Sequence, residues 1–443
     1  MHDIVENPTL SKALYVETYG CQMNIADSEI ISGLLNQKGY KLSEKPDNAD
    51  VIILNTCSVR DNAEKKIHDR LNHLKFYKKK NPAVVIGIVG CMAERLRSEL
   101  IEKNNIVDLV VGPDEYRKLP ELINDAENGT TGIAVRLSRV ETYDDITPLR
   151  TNGINAWISI MRGCDKFCTF CVVPFTRGRE RSRSFKSIVE EVHQLSATGF
   201  KEITLIGQNV NSYLDGENDF ADLMCEVSLV DQNLRIRFTT SHPQDMSDKL
   251  IETIATHKNI CNNIHLPVQS GSNRILKLMN RSYSIEHYQN LIEKIKKQIP
   301  EVGLSTDLIV GFPTETDEDH KLTLDFLNNV KYDGAYMFKY SPRENTKAWE
   351  MGDSVPEEIK QARLSEIIDL QNNIATEINK TLIGKTFNVL TEKESSKSSS
   401  DWTGRTDTNK IVVFKKGNIN RGDYINVVIE KSNSATLFGK IVE

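Results

Sequence analysis

The chain has 443 residues, the length of about three ordinary domains, and 56 Lys and Arg against 62 Asp and Glu leave a net charge of −6. That excludes a global basic field as the means of holding nucleic acid, and no apolar run is long enough to span a bilayer. Met1–Val16 lacks the apolar centre of a signal peptide, so the eight cysteines read as ligands or core thiols of a cytoplasmic chain, not as a disulfide framework.

The N-terminal third alternates apolar, β-rich runs with helical patterns. Strands are expected at Leu14–Tyr19, Val51–Asn55 and Val84–Val89. Helices are expected at about Asp27–Gln37, Arg60–Tyr77 and Glu94–Lys103. Such alternation predicts an open parallel sheet with helices on both faces. A cysteine follows each strand: Cys21 in Glu-Thr-Tyr-Gly-Cys, Cys57 in Ile-Leu-Asn-Thr-Cys and Cys91 in Gly-Ile-Val-Gly-Cys. The carboxyl ends of parallel strands share one edge, where ligands bind, so these three should meet in space. Three buried core thiols are the plainer alternative, but that does not explain the shared strand-end position. The pattern predicts a three-cysteine iron–sulfur site.

Cys164, Cys168 and Cys171 stand in Cys-Asp-Lys-Phe-Cys-Thr-Phe-Cys. Three thiolates this close can hold one metal centre. A cubane iron–sulfur cluster usually takes four cysteines, so three leave one iron open for chemistry. A zinc knuckle is the competing reading, against which no fourth Cys or His lies close by. The spacing resembles that of the radical S-adenosylmethionine (SAM) superfamily, in which the open iron chelates SAM and reduction yields a 5′-deoxyadenosyl radical.

From about Asn155 to Tyr340 strands are expected at Ala156–Ile160, Glu202–Ile206, Arg235–Thr239, Asn263–Val268, Gly303–Ile309 and Ala335–Tyr340. Helices such as Ser187–Thr198 and Ile285–Gln298 lie between them. Six such units suit a partial (β/α)6 barrel related to the TIM barrel, with its site at the strands' C-terminal ends. The run containing Cys164 follows the first strand. Polar segments after the others carry Gln208, Asn209, Ser241, Gln269 and Asp307 as candidate SAM contacts, each of which could equally be a loop-capping residue. His242 reads either as a substrate-side residue or as a turn residue before proline. Cys225 and Cys261 read as packing residues.

Arg177, Arg179, Arg181 and Arg183 alternate beside the cysteine run, with Lys186 after them, and suit a polyanion. A solvated strand face is the alternative. A helix over Pro356–Lys380 closes the middle region. Five short strands follow, at Thr386–Leu390, Trp402–Arg405, Ile411–Phe414, Tyr424–Ile429 and Thr436–Val442, with a polar loop at Glu392–Ser400. They predict a small antiparallel β-barrel. From Thr376 onward the net charge is +3, which fits phosphate contacts or simply a solvated surface.

Taken together, the chain resembles the methylthiotransferase family over nearly its whole length. The resemblance rests on Glu-Thr-Tyr-Gly-Cys21-Gln-Met-Asn, Asn-Thr-Cys57-Ser-Val-Arg, Val-Gly-Cys91-Met-Ala-Glu, Thr-Ser-His242-Pro, Leu-Pro-Val-Gln269-Ser-Gly-Ser and Thr-Gly-Arg405-Thr-Asp-Thr-Asn-Lys. Gln22-Met23 stand where the protein-modifying branch has Pro-Lys, so the tRNA-modifying branch is the better match. The resemblance implies an α/β chain in three parts: an N-terminal methylthiotransferase domain over 1–145, a radical SAM core over 150–378 and a TRAM RNA-binding barrel over 379–443. It implies two [4Fe-4S] clusters, on Cys21, Cys57 and Cys91 and on Cys164, Cys168 and Cys171. It places Phe170 beside SAM and Arg405 among the RNA contacts. One SAM would supply the methyl group and a second the radical that attacks carbon 2 of a dimethylallyl adenine at tRNA position 37. The implied partners are a tRNA anticodon stem-loop, an electron donor and a sulfur or iron–sulfur supplier, with the enzyme a cytoplasmic monomer free of membrane. Threonylcarbamoyl adenosine or an aspartate of a ribosomal protein are alternative substrates. A non-catalytic electron carrier or RNA-binding sensor is the alternative of another class.

Overall fold

The computed structural model describes residues 11–58, 61–150 and 153–442. Arg60, the expected start of one helix, lies outside them. The chain forms two compact units. The first comprises residues 11–150 with Arg162–Cys164 and Val172–Arg181, and the second holds the remainder, including the C-terminal barrel.

The first unit is built on six parallel strands: β1 Ala13–Thr18, β2 Lys41–Leu42, β3 Val51–Thr56, β4 Val85–Gly90, β5 Leu109–Val111 and β6 Gly132–Ala134, in the order 2-1-3-4-5-6. β3 and β4 are buried along their whole length, as continuous apolar runs in the middle of a parallel sheet must be. Alternate residues feed two cores. Ile53 and Val89 pack with Leu14, Ile31 and Leu109 on one face. Ile52, Leu54, Ile86 and Ile88 pack with Ile67, Leu71 and Leu74 on the other.

The helix after β1 runs over Gln22–Asn36, five residues earlier than expected, because Cys21 is itself the extended N-cap residue. Likewise the helix after β4 begins at Cys91, not at Glu94, and ends at Leu96 where Arg97 turns to φ 49°. A second helix, Glu99–Glu102, continues it. β2, β5 and β6 have only two or three residues each, too short for a periodic signal.

In the second unit two three-stranded parallel sheets follow one another. Glu202–Ile206 lies between Asn155–Ser159 and Arg235–Thr239. Gly303–Val310 lies between Asn263–His265 and Gly334–Lys339. Backbone bonds from Ile236 N–H to Asn259 O (2.9 Å) and from Cys261 N–H to Ile236 O (2.8 Å) join the sheets into one open arc. Leu304, Leu308 and Val310 pack outward with Tyr288, Ile292 and Phe326 of the surrounding helices. Cys225 lies in the helix Phe220–Val230 and Cys261 is buried, as packing residues would be.

The helix Glu357–Lys380 leads into a closed five-stranded barrel. The barrel corrects two expectations. The expected loop over 392–400 is a hairpin: Thr386–Ser395 and Ser398–Arg405 pair up to Ser395 and Ser398. The closure is not wholly antiparallel, because Ile411–Lys415 pairs parallel to Thr436–Val442. Within this unit Arg235 and Arg237 hold the barrel. Arg235 donates to Arg405 O (2.7 Å) and Asn388 O (2.8 Å), and Arg237 to Asp407 O (2.7 Å) and Thr406 O (2.6 Å).

Candidate metal and cofactor sites

The strand ends that precede the three cysteines of the first unit are tied together by buried polar side chains. Asn24, one turn into the helix behind Cys21, donates to Asn55 Oδ1 (2.9 Å) and Thr56 O (3.0 Å) at the end of β3. Asn55 donates back to Asn24 O (2.7 Å), and Thr56 Oγ1 donates to Val89 O (2.7 Å) on β4. Cys57 follows β3, which lies between β1 and β4. Gly20 (φ 139°) has no room for a side chain, since a Cβ there would stand 2.8 Å from Cys57 Cβ. Gly90 (φ 92°) is equally confined, by Asn55 Oδ1 and Thr56 O at 2.6 Å. Glycine alone tolerates that backbone and that crowding.

Cys21 is the N-cap residue of one helix and Cys91 the first residue of another. Cys57 and Cys91 are buried and Cys21 is exposed. Burial pushes the Cys91 thiol up, against the pull of Arg177. Arg177 donates from Nε to Cys91 Sγ at 3.2 Å and from Nη2 to Asp27 Oδ2 at 2.7 Å. Arg162 donates to Asp27 Oδ1 (2.8 Å), and Arg181 to Asp114 Oδ1 (2.9 Å). Burial alone would raise Asp27, but Arg162 and Arg177 together hold it below the carboxylate range. For Asp114 burial wins, and its carboxyl is raised.

These contacts correct the reading of the arginine strip. Arg177, Arg181 and Arg183 are buried. The first two pair with carboxylates of the first unit, and Arg183 pairs with Glu191 (2.8 Å) in the second. The chain turns at Gly178 (φ 71°) and is a strand only over Arg181–Ser182, so alternation in sequence does not become alternation in space. Arg179 and Lys186 are exposed. Arg405 is also spoken for: it pairs with Glu392 (2.6 Å) and Glu202 (3.5 Å) and so braces the barrel.

Cys164, Cys168 and Cys171 lie within eight residues of one loop. In the second unit Phe167 takes a left-handed turn (φ 48°), and Asn280 Nδ2 donates to Phe167 O (3.0 Å). Arg281 donates to Cys168 Sγ (3.2 Å) and to the Tyr283 hydroxyl (2.9 Å). Nothing in the sequence around Arg281 signalled this role.

The candidate SAM residues share one property. Gln208 Oε1, Asn209 Oδ1, Ser241 Oγ and Gln269 Oε1 are all buried without a hydrogen-bond partner. Buried polar atoms are rarely left so. Four together, each from a segment following a barrel strand, fit a polar ligand such as SAM. Asp307 lies 3.4 Å from His265, and Phe170 packs beside Phe312, Tyr340 and Met279. His242 Nδ1 accepts from Gln244 N–H (3.3 Å), so it does serve the turn before proline. Burial, with Arg281 and Lys166 close by, lowers it to about 2.

Among the described residues no three His, Cys, Asp or Glu are set to hold a single metal ion. The fit to a cluster rests on the donors: thiols in threes, two of them at helix starts, and arginine N–H groups at sulfur.

Three family models match in succession: an uncharacterized protein family, UPF0004, over residues 13–112, the radical SAM superfamily over 158–327 and the TRAM domain over 380–442. The chain is 53% identical over 429 residues to the tRNA-2-methylthio-N(6)-dimethylallyladenosine synthase of Chloroherpeton thalassium, covering 96% of this chain and 95% of that one. It is 51% identical over 440 residues to the protein of the same name from Bacteroides thetaiotaomicron, covering 98% and 96%. The chain belongs to this synthase family. It is therefore a radical SAM protein, with the [4Fe-4S] cluster and SAM which that superfamily implies. Among solved structures, the radical SAM methyltransferase TsrM from Kitasatospora setae superposes with a TM-score of 0.58 over 77% of each chain. At 13% identity that likeness shows a shared fold.

Proposed function

We propose that the chain converts N(6)-dimethylallyladenosine at tRNA position 37 to its 2-methylthio derivative. The observation that carries this is the pair of three-cysteine sets, one local and one assembled, in a chain about half identical from end to end to synthases of that name. Cys164, Cys168 and Cys171 would hold the cluster that binds SAM, and Cys21, Cys57 and Cys91 a second. When bound, those clusters and SAM would supply the one-electron chemistry that side chains lack, together with the sulfur and methyl group to be transferred.

The chain's own residues bind and orient. Gln208, Asn209, Ser241 and Gln269 offer their unpartnered oxygens to SAM's polar groups. Arg281 fixes Cys168 through its sulfur, as outer-shell partners fix ligands elsewhere. His242, neutral across the working pH range, adds no charge beside that loop. An adenine must leave its stack to reach a buried centre, and a single-stranded loop permits this at low cost. The C-terminal barrel, Arg179 and Lys186 would hold the anticodon stem-loop by its phosphates. We take the three domains as 1–145, 150–378 and 379–443. The enzyme acts as a cytoplasmic monomer supplied with electrons and sulfur by partners. No described helix is long and apolar enough to cross a membrane.

The test is anaerobic turnover of the reconstituted protein with SAM, a reductant and tRNA carrying the dimethylallyl group, read by mass spectrometry of the nucleosides. The methylthio nucleoside is the expected product. Deoxyadenosine without it would redirect the chemistry to another substrate, and neither product would leave a binding protein.

A further inference from the structure

Arg177 is buried in the first unit, yet its hydrogen bonds are incomplete. Nε serves Cys91 Sγ and Nη2 serves Asp27, while Nη1 is buried with no partner. A guanidinium offers five N–H groups in a fixed fork, so a buried Nη1 left unserved marks room for another acceptor. The charge balance points the same way. The buried group around it comprises Asp27, Asp114, Arg162, Arg177 and Arg181, two negative charges against three positive. A surplus positive charge in a dry interior is costly unless something answers it. Three thiolates on a doubly positive cubane core carry a net charge of −1, which answers it.

We propose that Arg177 is a positioning residue for the cluster on Cys21, Cys57 and Cys91. Its Nε–H anchors Cys91 and its remaining N–H groups serve sulfur at that cluster, with Asp27 as the brace that holds the fork in place. Hydrogen bonds to sulfur and nearby positive charge raise a cluster's reduction potential, so Arg177 sets that potential as well as the ligand's orientation. The proposal rests on the two-cluster reading above.

The experiment uses the full chain with Cys164, Cys168 and Cys171 each changed to alanine, so that only the N-terminal site can load. The protein is labelled with ¹⁵N-arginine, reconstituted anaerobically with iron and sulfide, and reduced. Pulsed electron paramagnetic resonance should show a ¹⁵N coupling to the cluster, lost in Arg177→Lys. A redox titration should show a more negative midpoint for Arg177→Gln than for Arg177→Lys, and for both than for the parent, at equal iron per chain. An unchanged midpoint in Arg177→Gln, or no arginine coupling in the loaded parent, would overturn the role. Should Arg177→Gln fail to fold, the coupling in the parent decides alone. Should the parent bind no cluster, the two-cluster reading itself falls, and Arg177 with it.

Discussion

Cys164, Cys168 and Cys171 stand within eight residues of the sequence, so their spacing along the chain is itself short. Cys21, Cys57 and Cys91 are separated by more than thirty residues each and share one edge only because β1, β3 and β4 are adjacent in the sheet. The difference is visible in what supports each set. One half-buried arginine, Arg281, serves Cys168. The assembled set needs Asn24, Asn55 and Thr56 to tie its strand ends together, two glycines to let them close and a buried charge network behind Cys91. A local site tolerates damage to the surrounding fold, whereas an assembled one inherits every weakness of its sheet.

The largest effects separate the two sets by function. Cys168→Ala should abolish deoxyadenosine formation from SAM, measured by chromatography under reducing conditions; undiminished formation would break the assignment. Cys57→Ala should leave deoxyadenosine formation intact and abolish the methylthio nucleoside. Normal product from that variant would remove any sulfur-donating role from the first unit.

The next largest effect tests the assembled set's dependence on its fold. Asp27→Asn leaves Arg162 and Arg177 buried without their shared anion, and breaking such a network costs about 3–5 kcal/mol. All three tryptophans, Trp157, Trp349 and Trp402, lie in the second unit. Their fluorescence should therefore hold while hydrogen exchange accelerates in Val51–Thr56 and Val85–Gly90. Equal loss in both units would show that the two sets do not differ in this way.

A milder perturbation is a matter of pH. Burial raises Glu94 to about 7, with Asp114 and Glu115 adding to it and Arg97 opposing. Its folded-state pKa exceeds the ordinary 4.5, so its contribution to stability is fully present below pH 4.5 and is lost as pH rises through about 7. Allowing for the exposed Arg97 beside it, the loss is roughly 2 kcal/mol. Glu94→Gln should flatten the stability of the first unit across that window in denaturant titrations. A profile still sloping as in the parent would assign the titration elsewhere.

How much of this was legible depended on distance along the chain. The placement of Cys21, Cys57 and Cys91 after adjacent parallel strands could be read from the alternation of strand and helix, because parallel topology dictates that strand ends share an edge. Gln208, Asn209, Ser241 and Gln269 could be placed after strands, but only the fold reveals that each leaves an oxygen unserved. The arginine strip misled, because charge in a sequence carries no record of burial. Arg177 and Arg181 find their carboxylates in Asp27 and Asp114, 150 and 67 residues away, and no local pattern announces such a pair. Arg281 was missed for the same reason: its partner Cys168 is 113 residues distant.

The smallest effect concerns what remains of that strip. Arg179 is exposed while Arg181, two residues on, is buried against Asp114. If phosphates are held here, Arg179→Ala should weaken tRNA binding a few-fold and lower the slope of log affinity against log salt by about 0.7–0.9, the value of one released counterion. Arg181→Gln should do the reverse, leaving the salt slope unchanged while destabilising the first unit, since it takes a buried partner from Asp114. Filter binding across a salt series, beside a denaturant titration of each variant, distinguishes the two. An equal slope change in both would return the arginines to a common surface. No slope change in Arg179→Ala would leave phosphate contact to the C-terminal barrel and Lys186.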